Sequence, residues 1–463
     1  MYKALLNKGD GQADIPVWIS NPLAVLTNTD QDASNGIVIQ GNRIIELVPA
    51  GQRPVTDSFY TFDASSLVLL PGLINCHHHF YQTLTRALPA ALNKELFAWL
   101  RALYPVWARM DEASIFNSTQ LALSELLLSG CTTTADHHYL FTDDIFNAID
   151  TQVEASQQMG VRVVLTRGSM SLGEKQGGLP PDHVVQTEET ILEESERLIK
   201  AHHQTEDDAM VQIALAPCSP FSVSPELMKA SASLAREYKV LLHTHLAETE
   251  DENAFCEKRF GLRPLDYLGS VGWLHNDVWL AHGIHFTEDE ISSLGKAGVA
   301  ISHCPSSNMI LASGTAKVLE LEAAGVAVGL GVDGSASNDH SNLMQEVRQA
   351  FLLQRLKYGS ADVSAEDALR WGTQGGARLF NRDSLGTLAA GQLADIALFD
   401  LEELRFSGCG DPLTALVSSG AHKARHVMVN GDWKVKDGAL VDIDIDELLA
   451  RHRNSAMRLA GKS

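Results

Sequence analysis

Residues 277–303, DVWLAHGIHFTEDEISSLGKAGVAISH, run through a strand, a helix and a second strand in one sweep. DVWLAH is short and almost wholly apolar, as a strand buried on both faces should be. Residues 287–297 then place apolar side chains at helical spacing, and GVAISH is a second buried run. Two strands joined through a helix are expected to lie parallel, because a parallel pair needs a crossover connection. The unit recurs in VRVVLTRG (161–168), MVQIALAPCS (210–219), KVLLHTHLAE (239–248) and VAVGLGVDG (326–334), with a further helix predicted over 223–238. Repeated βα units of this kind predict an α/β fold, a (β/α)8 TIM-like barrel over residues 69–384.

The two ends of the chain read differently. VWISNPLAVLT (17–27) and GIVIQGNRIIELVPAG (36–51) are short β segments, the second with a Gly-Asn hairpin turn. GTLAAGQLADIALFD (386–400) and HVMVNGDWKVKDG (426–438) return to that texture. Residues 1–68 and 385–440 are therefore expected to build one small β subdomain, with 441–463 a charged C-terminal helix. No fixed-period repeat or low-complexity tract interrupts this plan.

A chain of 463 residues with 45% hydrophobic and 20% charged content has ample material for a core. Its net charge of −22 disfavours nucleic acid and anionic membranes, which reward clustered Lys and Arg. No apolar run approaches the roughly 18 residues of a membrane span, and Met1–Asp14 lacks the layout of a signal peptide. The cytoplasm is the expected compartment. Cys76, Cys131, Cys218, Cys256, Cys304 and Cys409 form no CxxC pair, so reduced, mostly buried thiols are expected.

PGLINCHHH (71–79) closes an apolar strand. Alternate residues of a strand share a face, so His77 and His79 point one way and His78 the other, and two imidazoles at that spacing can take adjacent positions on one metal. His245 ends KVLLHTH, His282 ends DVWLAH and Asp333 ends VAVGLGVD. Active sites of this fold lie at the C-terminal ends of the strands, where these five side chains would converge. Nitrogen and oxygen ligands with an open position suit a catalytic zinc or iron(II) ion. Bland readings also stand: Glu248 as a helix N-terminal carboxylate in ETEDE, His282 as a core histidine, Asp333 as a turn residue before Gly334. His78, His137, His138 and His303 suit supporting roles, His202 and His203 a solvated helix face, and Ser306–Asn308 a loop over the pocket.

PGLINCHHH, HTHLAET (243–249), AHGIHF (281–286), HCPSSNMILASG (303–314) and GLGVDGSASND (329–339) resemble, in order, the strand-end motifs of the cytosine and guanine deaminase-like branch of the amidohydrolase superfamily. The resemblance spans nearly the whole chain, and the flanking segments resemble the family's β-sandwich, which it implies for 1–68 and 385–440. It implies that His77, His79, His245 and Asp333 hold a metal and that His282 polarises the attacking water or the oxyanion. Glu248 would shuttle a proton to a ring nitrogen, and Asp333 would take the proton of the water. Binuclear members use a carboxylated lysine on strand four. MVQIALAPCSPF (210–221) has none, so one divalent ion is expected, zinc before iron. The HxE and PCxxC motifs of the cytidine deaminase fold are absent.

The first motif continues as HHHFYQTLTRALPAALNKELFAWLRALYPVW (77–107). Gln82 matches a purine-binding glutamine of guanine deaminases, and its carboxamide can donate and accept. Trp99 and Tyr104 would supply apolar or stacking walls, or core packing. Cys218-Ser219 stands where guanine deaminases have Arg-Phe, which argues against unmodified guanine. This stretch, with RGSMSLGEKQGGLPPD (167–182) and APCSPFSVS (216–224), is similar to the members that turn 8-oxoguanine into urate and ammonia. Deaminases of isoxanthopterin and hydroxy-s-triazines share the HHH motif and are the alternatives. The partner implied is a small aromatic heterocycle. A homo-oligomer, dimer or larger, is expected.

Overall fold

The computed structural model describes residues 15–461, so the segment Met1–Asp14 lies outside them. Eight strands close a barrel: β1 (Leu73–Asn75), β2 (Cys131–His138), β3 (Arg162–Ser169), β4 (Val211–Pro217), β5 (Leu242–Leu246), β6 (Val278–His282), β7 (Ala300–His303) and β8 (Val328–Leu330). From β3 through to β8, neighbouring strands pair in parallel, and β8 meets β1 at Leu330 and Asn75. The (β/α)8 class read from the apolar runs is the fold observed. Local chemistry explains the helices between strands. Ser224 caps Pro225–Tyr238 through the N–H of Leu227, and Thr287 and Glu290 form a capping box on Glu288–Ala297.

Two strands end sooner than the apolar runs suggested. β1 stops at Asn75 and β8 at Leu330. Past the gap, His78–His79 pairs in parallel with Asp333–Gly334 as a separate two-residue ladder. In the gap, the Asn75 side chain does the hydrogen bonding: Oδ1 accepts the Val332 N–H at 2.9 Å and Nδ2 donates to Thr134 Oγ1 at 2.9 Å. Crowding adds to the interruption, because a Cβ on Gly331 would lie 2.8 Å from the His77 Cβ.

The chain divides into two compact units, one of residues 75–125, 134–341 and 444–463, the other of the remainder up to Ile443. The first holds nearly all of the barrel and the C-terminal helix Ile445–Leu459, capped by Asp444. The second holds a four-stranded sheet, running Arg43–Leu47, Gly36–Gln40, Val17–Ser20, Tyr60–Asp63, and a six-stranded sheet with Ile396–Asp400 and His426–Val429 at its centre. Ile19, Ile37, Ile39 and Ile44 from one sheet pack with Leu69, Ile396, Leu398 and Met428 from the other. The hairpin turn is at Gly41-Asn42, between the paired residues Gln40 and Arg43, with Gly41 at φ +60°. No helix among the described residues is long and apolar enough to cross a membrane.

Candidate active site

The C-terminal ends of β5 and β6 and the short ladder beyond β1 and β8 deliver side chains to one point. His77 Nε2 lies 3.2 Å and His79 Nε2 3.3 Å from Asp333 Oδ1. His245 Nε2 is 3.3 Å from His79 Nε2. His282 Nε2 is 3.5 Å from Glu248 Oε2 and 3.9 Å from Asp333 Oδ2. His77, His245, His282 and Asp333 each place one ligand-type atom within 4.8 Å of all the others. His245 is half-buried and the rest are buried.

The outer ring nitrogens decide what the inner ones present. His79 Nδ1–H donates to the His137 carbonyl at 2.6 Å, and His245 Nδ1–H donates to the Cys218 carbonyl at 2.7 Å. His243 gives its own Nδ1–H to the Trp279 carbonyl at 2.9 Å, so its Nε2 accepts from His77 Nδ1–H at 2.8 Å. With each Nδ1 carrying the proton, all three Nε2 atoms turn lone pairs toward one another and toward the Asp333 carboxylate. Burial and neighbouring imidazoles hold the pKa of His77 and of His245 well below the usual histidine value, so both rings are neutral. Buried lone pairs facing a carboxylate repel unless a cation lies between them, and the His77 Nε2 has no hydrogen-bond partner. This donor set fits a divalent metal ion.

His282 differs. Its Nδ1–H donates to Asn308 Oδ1 at 2.9 Å, and its Nε2 faces two carboxylates. Burial alone would lower its pKa, but Glu248 and Asp333 outweigh burial and raise it. Burial raises the carboxyl of Glu248, with His282 opposing. Burial also pushes Asp333 up, yet positive charge shared with the His77 and His79 Nε2 atoms, the part a cation takes in this donor set, holds it well below the ordinary carboxylate range. Two neighbouring acids are thus set apart, Asp333 ionised and Glu248 inclined to keep its proton, which is how acid and base roles are divided. Ser307 Oγ donates to Asp333 Oδ2 at 2.6 Å. Asp333 at φ +59° and His282 at φ +72° occupy the left-handed region, strain of about 1–3 kcal/mol each that tertiary contacts sustain at a working site.

A pocket over this cluster is lined by Gln82, Trp99, Tyr104, Cys218 and Glu248, all singled out in the sequence. Gln82 Oε1 is already engaged, accepting the Ala336 N–H at 3.3 Å, so its amide N–H groups are what it offers. Trp99 spends its indole N–H on the Ala336 carbonyl at 3.2 Å and presents its ring face and edge. Tyr139, Phe221, Leu311 and Ser337 also line the pocket and were missed. Tyr139 had a signal, since it follows His137 and His138 off the end of β2.

Supporting roles sorted themselves by hydrogen bonds. His137 donates from Nε2 to the Ala216 carbonyl, and His78 Nε2 meets Ser341 Oγ at 2.9 Å. Ser307 and Asn308 hold Asp333 and His282 directly and do more than shape a loop. His202 and His203 are not simply solvated. His202 pairs with Asp150 at 2.7 Å, and the His203 ring accepts the Ile213 N–H at 3.1 Å.

A closed parallel barrel with an imidazole and carboxylate donor set at its strand ends is the architecture of the metal-dependent barrel hydrolases. The chain belongs to the Amidohydrolase family, whose sequence pattern matches residues 68–434. It is 59% identical over 442 residues to an 8-oxoguanine deaminase of Pseudomonas aeruginosa, covering 96% of this chain and 98% of that protein. It is 38% identical over 391 residues to a hydroxydechloroatrazine ethylaminohydrolase of Pseudomonas sp., covering 82% and 81%. Among solved structures, an atrazine chlorohydrolase from Arthrobacter aurescens TC1 complexed with zinc superposes with a TM-score of 0.89 at 32% identity, covering 95% of this chain and 100% of that one.

Proposed function

We propose that this chain is an aminohydrolase that converts 8-oxoguanine and water to urate and ammonia. The observation that carries the reading is the 59% identity to an 8-oxoguanine deaminase along 96% of the chain, over a site whose acid and base are already set apart.

In this reading His77, His79, His245 and Asp333 hold one divalent ion, zinc by analogy with the zinc-bound triazine-hydrolysing relative. When bound, such an ion supplies the Lewis acidity that brings the pKa of water from about 15.7 to about 7. β4 contains no lysine to bridge a second ion. Asp333 Oδ2 accepts the proton shed by the attacking water. His282, fixed by Asn308, donates from Nε2 to the oxygen that adds to the amino-bearing carbon. Glu248 delivers its proton to the ring nitrogen beside that carbon; the proton held on Asp333 then passes to the amino group, which leaves as ammonia while the added hydroxyl becomes the carbonyl and returns its proton to Glu248. Gln82 holds an acceptor on the heterocycle edge with its amide N–H groups, and Cys218, Trp99 and Tyr104 complete the wall.

The cytoplasm is the compartment that suits six free cysteines, five of them buried. Self-association is supported by Leu352 and Leu356, 42% and 85% exposed four residues apart on the helix Leu343–Tyr358. Ammonia release from 8-oxoguanine, guanine, isoxanthopterin and a hydroxy-s-triazine tests the substrate. The expected result is a kcat/KM preference for 8-oxoguanine over guanine of about 10⁴, the penalty for leaving a site's polar groups unpaired. Equal rates on the two purines overturn it, and a preference for isoxanthopterin moves the substrate to the pterins.

A further inference from the structure

One polar group in the pocket wall has no partner in the protein. Tyr104 lies on the helix Leu96–Trp107 and lines the pocket at 0% exposure, yet its hydroxyl makes no hydrogen bond. Leu96, Trp99 and Leu100 of the same helix offer it no acceptor. The groups it feels electrostatically, the thiol of Cys218 and the phenol of Tyr81, carry hydrogens of their own. Burial keeps these groups protonated, raising the Tyr104 phenol well above its ordinary value and pushing the Cys218 thiol up to about 12. A corner rich in neutral donors is complemented by an uncharged acceptor, and a buried hydroxyl left unpaired destabilises the ligand-free protein. Tyr104 lines the same pocket as the His/Asp cluster without being one of its members.

We propose that the Tyr104 hydroxyl donates a hydrogen bond to a carbonyl oxygen on the second ring of the substrate, making this residue a determinant of selectivity for heterocycles oxidised there. The assignment rests on the deaminase reading above and extends it to a class: bicyclic aminoheterocycles with a carbonyl on the ring remote from the amidine. 8-Oxoguanine differs from guanine by that carbonyl, and isoxanthopterin differs from pterin in the same way. The test measures kcat/KM for both pairs with the metal-loaded wild type and Tyr104→Phe. The expected result is a fall of about 10- to 100-fold in the oxidised-to-unoxidised ratio, the effect of removing one buried hydrogen-bond partner. The Tm of the ligand-free variant should be equal to or above that of wild type, since an orphan hydroxyl has been removed. An unchanged ratio, with both members of a pair slowed alike, overturns the proposal, as does a lowered Tm with no change in ratio. If the wild type acts on the pterins and not the purines, the 8-oxoguanine reading fails while the pterin ratio still decides Tyr104. A wild type active on single-ring triazines alone overturns both.

Discussion

His77 and His243 are joined by a 2.8 Å hydrogen bond from Nδ1 to Nε2, and the proton on His77 is placed there by a carbonyl one ring further back, that of Trp279. The His243 ring also stacks on Trp279, with centroids 4.3 Å apart and planes 13° from parallel. His243→Phe keeps the stacked shape and removes the acceptor that holds the His77 tautomer. Metal affinity should weaken by about 10- to 100-fold, the usual effect of losing a partner behind a ligand. Competition against a chelating indicator measures it, and elemental analysis should find one equivalent in the wild type. An unaltered affinity, or two equivalents, would show that the relay does not serve a single-ion site.

Glu248→Gln preserves size and hydrogen bonding but has no proton to give as an acid of suitable pKa. Metal content should stay at the wild-type level while kcat falls about 10²- to 10⁴-fold. Near-normal turnover would remove Glu248 from proton transfer.

Glu252, in the first turn of the helix Glu250–Phe260, is a second buried acid beside Glu248, 1% exposed, with Oε2 accepting the Glu248 N–H at 3.0 Å. Burial raises its pKa from 4.5 to about 8 in the folded protein. Below about 4.5 the group is protonated in both states and contributes nothing to the pH dependence. Between about 4.5 and about 8 the unfolded chain has lost the proton and the folded protein retains it, so folding stability declines as pH rises through that window. Glu252→Gln is neutral throughout. Its stability relative to wild type should increase by about 1.4 kcal/mol per pH unit from about 5 to about 8, as followed by urea unfolding. A difference that is flat with pH would mean that Glu252 is ionised in the folded protein.

The apolar runs ending in His245 and His282 were legible because a buried parallel strand is nearly all apolar, and a polar residue at its C-terminal end stands out. His77 and His79 were legible as a same-face pair through the two-residue period of strands. The straight continuation of β1 to His79 and of β8 to Asp333 was not correct. The break depends on the side chain of Asn75 itself taking the Val332 N–H across the ladder, which has no local signature. Tyr139, Phe221 and Leu311 were missed because apolar and aromatic residues look alike whether they line a pocket or fill a core.

The sequence by itself determined the order of βα units, the polar residues at their ends and so the kind of chemistry on offer. Only the tertiary structure decided their protonation and their division of labour. The acceptors that orient His79, His245 and His243 are backbone carbonyls of His137, Cys218 and Trp279, and since every residue carries a carbonyl, nothing in the residue order marks these three. The separation of Glu248 from Asp333 likewise comes from what surrounds each carboxylate in space. Periodicity reports which face a residue occupies. The distance between faces 166 residues apart, as between His79 and His245, is set by barrel closure alone.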